Sequence, residues 1–469
     1  MKIGPKIKAF RRQLGLQANK LAEDLGISPS YLNLIESGKR KIDGDLLLKV
    51  CDKLKIQLSD LTSKSDLNLY NNISEILDDS LFEDLDILAP EVKDLVSTNP
   101  KIGRAILRLG DILKKKDHEL VNKIEKLSGK IVDNRKNSFP GELIADFIQV
   151  NKNYFPKLEQ FAEKIFSDIQ KNNRSRYTSL CEYLYSKYSI TVKDVIPEDN
   201  KLFSKIYHKN KKELLLSDYN SLETKKLYAA AQIAQEGASK EINEYLETFK
   251  FPSEESKNLA IVALLNYCGA AILMPYKLFH TECKKLKYDL ELLQNTFATS
   301  FEQVAHRVTC LQDPKLSGIP FHMLRVDMAG NISKRFSMSG IEIPRYGGAC
   351  PRWNVYSAFS RPNVIQVAVS KMTNGEKYIC IARTVEKGIG KFGKPKGMLS
   401  IGLGCESKYV KDFIYTEHVD VNDKKIETPI GVSCRTCDRL DCAQRAFPPL
   451  HKKFDVDINN RGVSVFVNE

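Results

Sequence analysis

The stretch Gln17-Ala-Asn-Lys-Leu-Ala-Glu-Asp-Leu-Gly-Ile-Ser-Pro-Ser-Tyr-Leu-Asn-Leu-Ile-Glu-Ser-Gly-Lys-Arg40 decides the fold of the amino-terminal region. Leu21, Ala22 and Leu25 recur at helical spacing and form the inner face of a first short helix. Gly26 follows at once and supplies a tight turn. The pattern predicts two short helices around a turn, which is the arrangement that places one helix in the major groove of DNA.

The second helix of this pair has its own start signals. Ile27 is predicted to be buried behind the turn, and Ser28 is predicted to cap the helix. Pro29 occupies the first helical position, where a missing N–H does no harm. Leu32 and Ile35 then face the core, so the remaining side chains point outward.

Outward polar and aromatic groups of this kind are suited to reading base edges and gripping phosphates. Residues 1–64, the head, hold 13 Lys and Arg against 7 Asp and Glu, a net charge of +6, which agrees with a DNA-binding role. Residues 65–94 hold nine acids and one Lys, so within residues 1–94 the positive charge is confined to the head. The predicted DNA contacts are Gln17, Ser28, Ser30, Tyr31 and Asn33, with Arg12, Lys20, Lys39 and Arg40 on the phosphates.

The chain as a whole has the composition of a soluble, multidomain protein. Its 469 residues are too many for one core, and 42% hydrophobic with 28% charged residues is typical of globular domains. The formal charge of +13 favours an anionic partner. Eleven cysteines, mostly single and among apolar neighbours, are typical of a reduced, cytoplasmic protein. The apolar stretch Leu259–Met274 is too short to span a bilayer, so we expect a buried helix and no membrane contact.

The middle of the chain is predicted to be mainly helical. Residues 65–94 should form short helices, and the apolar spacing after them predicts a long amphipathic helix from Pro100 to Leu127. That helix could carry a homodimer contact or pack on its own chain. Further helices are predicted at Gly141–Val150, Lys157–Gln170, Arg176–Tyr188, Ser221–Gln235, Glu254–Leu273 and within Tyr276–Gln312, with one strand pair at Ser189–Ile196 and Glu213–Leu216.

The character of the sequence changes after residue 312. β-Branched and aromatic residues separated by turn residues predict an antiparallel sheet flanked by helices. Asp327–Asn331 and Thr373–Gly375 are expected to be hairpin turns. The predicted strands are Phe321–Asp327, Asn331–Phe336, Val364–Met372, Lys377–Arg383, Leu399–Leu403 and Phe413–Tyr415.

Three cysteines lie within nine residues near the end of the chain. The spacing of Cys434, Cys437 and Cys442 lets their thiolates converge on one metal, either a structural zinc or an iron–sulfur cluster. A fourth ligand must come from elsewhere. The candidates are Cys405, which follows a glycine-rich strand end, and Cys350.

Two resemblances cover the chain. Across Gly4–Leu61 it resembles the phage-repressor helix-turn-helix family. Nearly the whole chain resembles the bacterial short-chain fatty acyl transcriptional regulators, which control the methylcitrate cycle and the glyoxylate shunt. The stretches that carry this second resemblance are Ser300–Arg307, Arg325–Arg335, Gly347–Asn354, Ile381–Thr384 and Cys434–Pro449.

The second resemblance implies a DNA-binding head, a degenerate zinc-peptidase-like middle domain, a carboxy-terminal region that senses short-chain acyl-CoA, and a 4Fe-4S cluster on the terminal cysteines. Related peptidases carry HExxH on a helix. Here the corresponding positions are Ala231, Gln232 and Gln235, which offer neither a zinc ligand nor a general base. We therefore expect no proteolysis by this domain.

An acyl-CoA site needs an apolar slot with cations at its mouth. The candidate residues are Arg335, Phe336, Arg345, Trp353 and Arg383, although each could equally serve the core or the solvated surface.

Together these features predict a cytoplasmic, homodimeric transcriptional regulator, not an enzyme, that binds double-stranded operator DNA and a short-chain acyl-CoA. The alternatives are a cluster- or zinc-containing enzyme, or a stress regulator, with secondary DNA binding. The predicted domains are the helix-turn-helix head (1–64), an acidic helical linker with a long helix (65–135), a degenerate zincin-like helical domain (136–285), an α+β sensor domain (286–430) and a cysteine-rich tail (431–469).

Overall fold

The structure is a computed structural model. The chain divides into two compact units, of which the first is Met1–Asn134 with Pro344–Tyr346 and Ser433–Glu469, and the second is Arg135–Ile343 with Gly347–Val432. The cysteine-rich tail thus belongs to the same unit as the head. The structure describes residues 4, 7–8, 10–11, 16–37, 40, 42–54, 64–77, 87–110, 140–170, 174–198, 202–344, 348–388, 396–417, 419–421, 423–448 and 462–464.

The head is a small helical core. Helices α1 (Ala18–Asp24), α2 (Pro29–Glu36) and α3 (Gly44–Leu54) pack through buried leucine, isoleucine and valine side chains. The helix pair and its turn are confirmed, since Gly26 adopts φ +68°, a conformation that favours glycine. The prediction for Ile27 was too strong, because its side chain is only half-buried at the edge of this core.

The acidic stretch forms helices α4 (Lys64–Leu77) and α5 (Ala89–Thr98), as predicted, and apolar residues of the two helices pack together. A further helix, α6, covers residues 100–110. This confirms the first part of the predicted long helix, while residues 111–127 lie outside the described residues. Two side chains of its apolar face are exposed, Ile102 at 50% and Leu109 at 60%.

The second unit begins with helices and a small sheet. The predicted strand pair is confirmed, with β1 (Thr191–Val195) parallel to β3 (Glu213–Ser217). A third strand, β2 (Lys205–His208), pairs antiparallel with β3 and was missed, because a four-residue edge strand rich in polar residues has little period-two signal. The helices are α7 (Pro140–Val150), α8 (Pro156–Gln170), α9 (Arg176–Tyr188), α10 (Leu222–Gly237), α11 (Ser239–Glu247), α12 (Glu254–Leu273), α13 (Tyr276–Lys285), α14 (Leu290–Phe297) and α15 (Phe301–Thr309).

Helix α12 is long and apolar enough to cross a membrane by length and composition, and it is the one such helix among the described residues. Its second half, however, is buried almost completely inside the unit, from Leu264 to Leu273. A capping box at Ser253 starts the helix. These features confirm the predicted core helix.

The carboxy-terminal part of this unit is a six-stranded sheet in the order β5-β4-β8-β7-β6-β9. All neighbouring pairs are antiparallel except β6 with β9, so the predicted antiparallel sheet is confirmed. Both hairpin turns are also confirmed, with Gly330 and Gly375 at φ +86°. The strands are β4 (His322–Asp327), β5 (Ile332–Ser337), β6 (Gln366–Lys371), β7 (Lys377–Lys387), β8 (Gly397–Glu406) and β9 (Glu427–Pro429).

The predicted strand Phe413–Tyr415 is wrong. The chain there makes two short 3-10 turns, Ser407–Asp412 and Ile414–Thr416. The Phe413 ring is buried between Phe321 and Tyr415, with ring centroids at 5.5 and 5.1 Å. Aromatic side chains can fill a core from an irregular segment, which is why their presence was misleading.

The helical part and the six-stranded sheet share one hydrophobic core. That core runs from Phe147 and Leu264 on the helices to Ile379, Ile401 and Cys405 on the sheet. The opposite face of the sheet carries a second, smaller core that includes short helix α16 (Asn354–Ser357), Trp353 and Ile430. The sheet is therefore covered on both faces.

Candidate DNA-binding helix, sensor face and cysteine loop

Helix α2 is the candidate recognition helix. The Ser28 Oγ accepts a hydrogen bond from the Tyr31 N–H at 3.1 Å, and Pro29 stands at the first helical position, as predicted. Leu32 and Ile35 are each 1% exposed and hold the inner face of the helix in the core. The start and the orientation of this helix are therefore set locally by the residues that the sequence analysis singled out.

A buried ion pair, missed in the sequence, holds the end of the recognition helix. The Arg11 guanidinium donates to both Glu36 carboxylate oxygens, from Nε at 2.6 Å and from Nη2 at 2.8 Å. Its Nη1 donates to the Leu16 carbonyl at 2.8 Å. The hydrogen bond with Glu36 raises the pKa of Arg11, so the guanidinium stays charged. Nothing in the spacing of two residues so far apart signals such a pair.

The outer surface of the head carries the predicted DNA contacts. Gln17, Ser30 and Asn33 are exposed, as are Ser28 and Lys20. The Gln17 side chain makes no capping hydrogen bond to α1, which leaves its amide directed to solvent.

Tyr31 differs from the other predicted contacts. It is half-buried, with the Arg40 guanidinium 4.7 Å above its ring. Stacking of this kind fixes a cation beside the recognition helix. Arg12 and Lys39 lie outside the described residues, and the DNA-contacting role of all these side chains stays a prediction.

Helix α10 carries the positions that correspond to the peptidase motif. Ala231 and Gln232 are buried and Gln235 is exposed. The Gln232 Nε2 donates to the Glu236 carboxylate at 2.9 Å. A Cβ on Gly269 of α12 would lie 3.0 Å from the Ala231 nitrogen, so the two helices approach closely at this point. Helix α10 thus packs in the core of the second unit.

A second buried pair, also missed in the sequence, joins α15 to α8. The Arg307 guanidinium donates to both Glu159 carboxylate oxygens, at 2.6 and 2.7 Å, and to the Met274 carbonyl at 3.0 Å. The Tyr267 hydroxyl donates to the same carboxylate. Arg307 is 0% exposed, so this network lies wholly inside the core. It belongs to the stretch Ser300–Arg307 that carried part of the family resemblance.

The predicted ligand-binding residues lie on several elements, each with a protein partner. Arg335 pairs with Glu142, the Trp353 indole N–H donates to the Gly431 carbonyl at 2.9 Å, and Phe336 is buried. Arg383 pairs with a glutamate and lies 5.0 Å above the Phe301 ring. Arg345 is outside the described residues, and the role of this set stays a prediction.

Trp353 lines a narrow cleft between the sheet and its cover. The cleft has room for about one water molecule. On its wall the Cys380 Sγ lies 3.7 Å from the His322 Nε2, and the His322 Nδ1 lies 2.8 Å from the Ser339 Oγ.

This arrangement of thiol, imidazole and hydroxyl resembles a nucleophile with its base, but the protonation states differ. Burial lowers the pKa of His322 to about 3 and raises the pKa of Cys380 to about 12. The thiol and the imidazole are therefore both neutral at physiological pH. A buried thiol of this kind is inert, and the group is better explained as part of the core.

The predicted metal ligands form a compact loop in the first unit, the cysteine loop (residues 433–448). Cys437 and Cys442 are buried and Cys434 is half-buried. The Arg445 guanidinium donates to the Cys434 carbonyl at 2.6 Å and to the Cys437 carbonyl at 2.8 Å, and the Ala446 N–H donates to the Cys434 Sγ at 3.4 Å. The loop is thus closed around an arginine.

The fit of these thiols to a metal was tested on the side-chain positions. Within the described ranges, no three His, Cys, Asp or Glu side chains stand close enough to hold a metal ion together. Burial raises the pKa of Cys437, while Arg445 and Arg439 act in the opposite direction. Two arginines, Arg445 and Arg439, thus act on the Cys437 thiol.

The two candidates for a fourth ligand differ. Cys405 lies on β8, fully buried in the main core of the second unit, and burial raises its pKa. The Cys350 N–H donates to the Val432 carbonyl at 2.9 Å, and Val432 precedes Cys434 by two residues in the sequence.

The helix-turn-helix head is typical of DNA-binding proteins. Together with the sheet that is covered on both faces, it defines a multidomain protein of the DNA-binding class. Residues 7–61 match the helix-turn-helix family, residues 186–309 the IrrE N-terminal-like domain, and residues 310–466 the carboxy-terminal domain of the short-chain fatty acyl coenzyme A regulators.

The chain is also 31% identical over 469 residues to the HTH-type transcriptional regulator RamB of Mycobacterium tuberculosis (strain CDC 1551 / Oshkosh), covering 99% of this chain and 98% of that protein. It is 32% identical over 461 residues to the propionyl-CoA carboxylase regulator of Cereibacter sphaeroides, covering 98% and 97%. A solved structure of a Mycobacterium tuberculosis transcriptional regulator is 33% identical with a TM-score of 0.67, covering 71% of this chain and 100% of that one. The protein belongs to the family of short-chain fatty acyl coenzyme A regulators.

Proposed function

We propose that this protein is a transcriptional regulator of short-chain acyl-CoA metabolism that binds operator DNA through α2 and changes its DNA affinity when it binds an acyl-CoA. The main support is the structure of helix α2. Ser28 caps its start, Glu36 at its end pairs with Arg11, and polar side chains are exposed along its outer face. One relative is named as a transcriptional regulator and another as a propionyl-CoA carboxylase regulator, which agrees with a regulatory and not an enzymatic role.

The experiment is a titration of the purified chain with duplex DNA selected from a random pool, followed by fluorescence anisotropy at several salt concentrations. Because the exposed Asn33 is proposed to contact base edges, Asn33→Ala should relax the sequence preference. Arg40→Ala should instead weaken binding to all duplexes and reduce the salt slope by about one. Lys53→Ala removes an exposed charge from α3 and is the matched control. Equal effects of all three variants would contradict the assignment of α2.

The acyl-CoA response is tested in the same assay. Propionyl-CoA and acetyl-CoA should shift the DNA affinity of the wild-type chain, whereas free coenzyme A controls for the thioester. A DNA affinity that no acyl-CoA changes would contradict ligand control and leave only the DNA-binding role.

For the cofactor, the proposal is a 4Fe-4S cluster on Cys434, Cys437 and Cys442, with a fourth ligand that the spacing does not identify and with structural zinc as the alternative. Two arginine guanidinium groups would offset the negative charge of the thiolates. When bound, such a cluster supplies an oxygen- and redox-sensitive group. Iron and acid-labile sulfide should co-purify with the chain under anaerobic conditions and be lost in Cys437→Ser; zinc alone would contradict the cluster.

Exposed apolar side chains on α6 support the proposed homodimer. Ile102 and Leu109 lie on the solvent side of that helix, and a second copy could cover them. Analytical ultracentrifugation should give a dimer for the wild-type chain and a larger monomer fraction for Ile102→Lys. A monomeric wild type would contradict this part of the proposal.

A further inference from the structure

Three cationic side chains converge on one carboxylate at the hairpin end of the large sheet. Glu302, in the first turn of α15, accepts from the Arg325 Nη1 at 2.7 Å and from the Lys334 Nζ at 3.1 Å, and lies 2.8 Å from the Lys387 Nζ. We call Arg325, Lys334 and Lys387 the cation cluster. Its members come from three strands, β4, β5 and β7, and so depend on the fold of the whole sheet.

The charges of this group do not balance. Within the part of the chain that the structure describes, Glu302 is the carboxylate that each of the three cations pairs with. Three positive charges on one negative charge leave a surplus of two. Like charges at this separation repel one another unless another anion compensates them.

The carboxylate of this group is buried, whereas the two lysine side chains are partly exposed, as a ligand-binding site requires. The Glu302 side chain is 10% exposed, whereas those of Lys334 and Lys387 are 47% and 51% exposed. The carboxylate therefore lies on the inner side, where it orients the cations, and about half of each lysine side chain is exposed to solvent. The Arg325 Nε also donates to the Ser333 Oγ at 2.9 Å, which fixes the guanidinium plane.

The local electrostatics agree. The pKa of Lys334 is lowered, mainly because its side chain is partly removed from water; Glu302 acts in the opposite direction, and Arg325 and Lys387 add repulsion. An anion placed outside the cluster would relieve this repulsion and strengthen every contact in the group.

We propose that the cation cluster is a binding site for phosphate groups of a small ligand. A phosphate monoester carries nearly two negative charges at neutral pH and has three acceptor oxygens, which match the surplus charge and the three donors. The inference rests on the proposed function only where it names coenzyme A, which has several phosphates, as the ligand that supplies the phosphate groups. A free nucleotide offers the same phosphate chemistry.

The chain offers a matched control for this site. Lys396 lies in the same β7–β8 hairpin region and is 51% exposed, like Lys387, but it pairs one-to-one with Glu386 at 2.7 Å. Removing its charge therefore takes away a cation that is already compensated. Lys387→Gln and Lys334→Gln remove surplus charges from exposed positions, so the fold should tolerate both.

The test is calorimetric titration of the full chain and these variants with inorganic pyrophosphate, ATP and propionyl-CoA. Pyrophosphate affinity should fall about tenfold for each of Lys334→Gln and Lys387→Gln, the effect of one lost charge-assisted hydrogen bond. Lys396→Gln should stay within about twofold of the wild type. ATP binding as tight as that of propionyl-CoA, lost in the same variants, would assign the site to free nucleotides.

Two results would overturn the site itself. One is a wild-type chain that does not bind pyrophosphate, or binds it no more tightly than the double variant. The other is a double variant that keeps pyrophosphate but loses affinity for duplex DNA, which would assign the cations to a nucleic-acid backbone. If propionyl-CoA fails to bind while pyrophosphate binding depends on the lysines, the site stands and the acyl-CoA response fails.

Discussion

The head and the helical part of the second unit each bury an arginine–glutamate pair, but they do so in different surroundings. The Arg11 side chain in the head is 10% exposed, so water still reaches part of it. The Arg307 side chain is 0% exposed and donates to a backbone carbonyl as well as to Glu159. The comparison teaches that the same pair of residue types can close the edge of a small core or fill the centre of a large one. The difference should appear in the cost of breaking each pair.

The largest effect is expected in the fully buried pair. Glu159→Ala leaves the Arg307 charge in the core without its carboxylate, and should lower the free energy of unfolding by about 3–5 kcal/mol. Trp353, the single tryptophan of the chain, is buried in the second unit, so its fluorescence in urea reports this unit.

The control for that prediction removes both charges together. Glu159→Leu with Arg307→Met should recover most of the lost stability, because no unpaired charge remains. A single variant that costs less than the double one would show that the pair does not behave as a buried ion pair.

Breaking the Arg11–Glu36 pair in the head should lower the free energy of unfolding by less. Glu36→Ala leaves Arg11 able to turn toward water, so the head should lose about 2 kcal/mol. The loss should be seen as a lower melting temperature of the head's helices by circular dichroism and as weaker DNA binding, with the Trp353 transition unchanged. Glu23→Ala, an exposed glutamate on α1, is the control and should change neither. If Glu36→Ala lowered the free energy of unfolding as much as Glu159→Ala does, the two pairs would not differ in the way proposed here.

The pH dependence separates the two regions further. Burial lowers the pKa of His322 to about 3, below its unfolded value of about 6.5. The stability tied to the neutral imidazole is therefore complete above pH 6.5 and is lost as the pH falls toward 3. Between pH 6.5 and 5 the second unit should lose about 2 kcal/mol for this histidine.

This loss can be measured by urea unfolding, followed by Trp353 fluorescence, at pH 7 and pH 5. His322→Gln should remove part of the difference but not all, since the pKa of His306 is also lowered to about 3. The head has no histidine in residues 1–64 and should lack this contribution. An unchanged pH dependence in His322→Gln would contradict the buried, neutral state of the ring.

The sequence predicted the elements that carry strong local signals. Helix α9 and helix α12 were located to the residue because cap residues and apolar periodicity agree there. The recognition helix, its serine cap and the glycine turn were found for the same reason. Of the sheet, the strands of six or more residues, with β-branched or aromatic residues between turn residues, were found, whereas β9 has three residues and no pattern to detect.

The parts that escaped prediction depend on contacts between distant residues. Arg307 and Glu159 are 148 positions apart, and the cation cluster joins three strands to a helix. Cys434, Cys437 and Cys442 were visible from spacing alone, but spacing does not fix where the loop packs or which cysteine completes a site. The shared core of the helical part and the sheet was equally invisible, because a change in residue pattern suggests a domain boundary even where packing is continuous.

The smallest effect compares the two helix caps. The Ser28 Oγ accepts from the Tyr31 N–H in the head, and the Ser300 Oγ accepts from the Gln303 N–H in the second unit, so each alanine variant should cost about 1 kcal/mol. Because the head is small, Ser28→Ala should lower its melting temperature by about 4–8 °C, against about 2–4 °C or less for Ser300→Ala in the larger unit. Ser28→Thr keeps the cap and is the control. If Ser28→Thr lost DNA affinity while keeping the melting temperature, the added methyl group would disturb the DNA contact, and residue 28 would lie at the DNA as well as in the cap. Equal temperature shifts for the two alanine variants would show that the head does not unfold as a small, separate core.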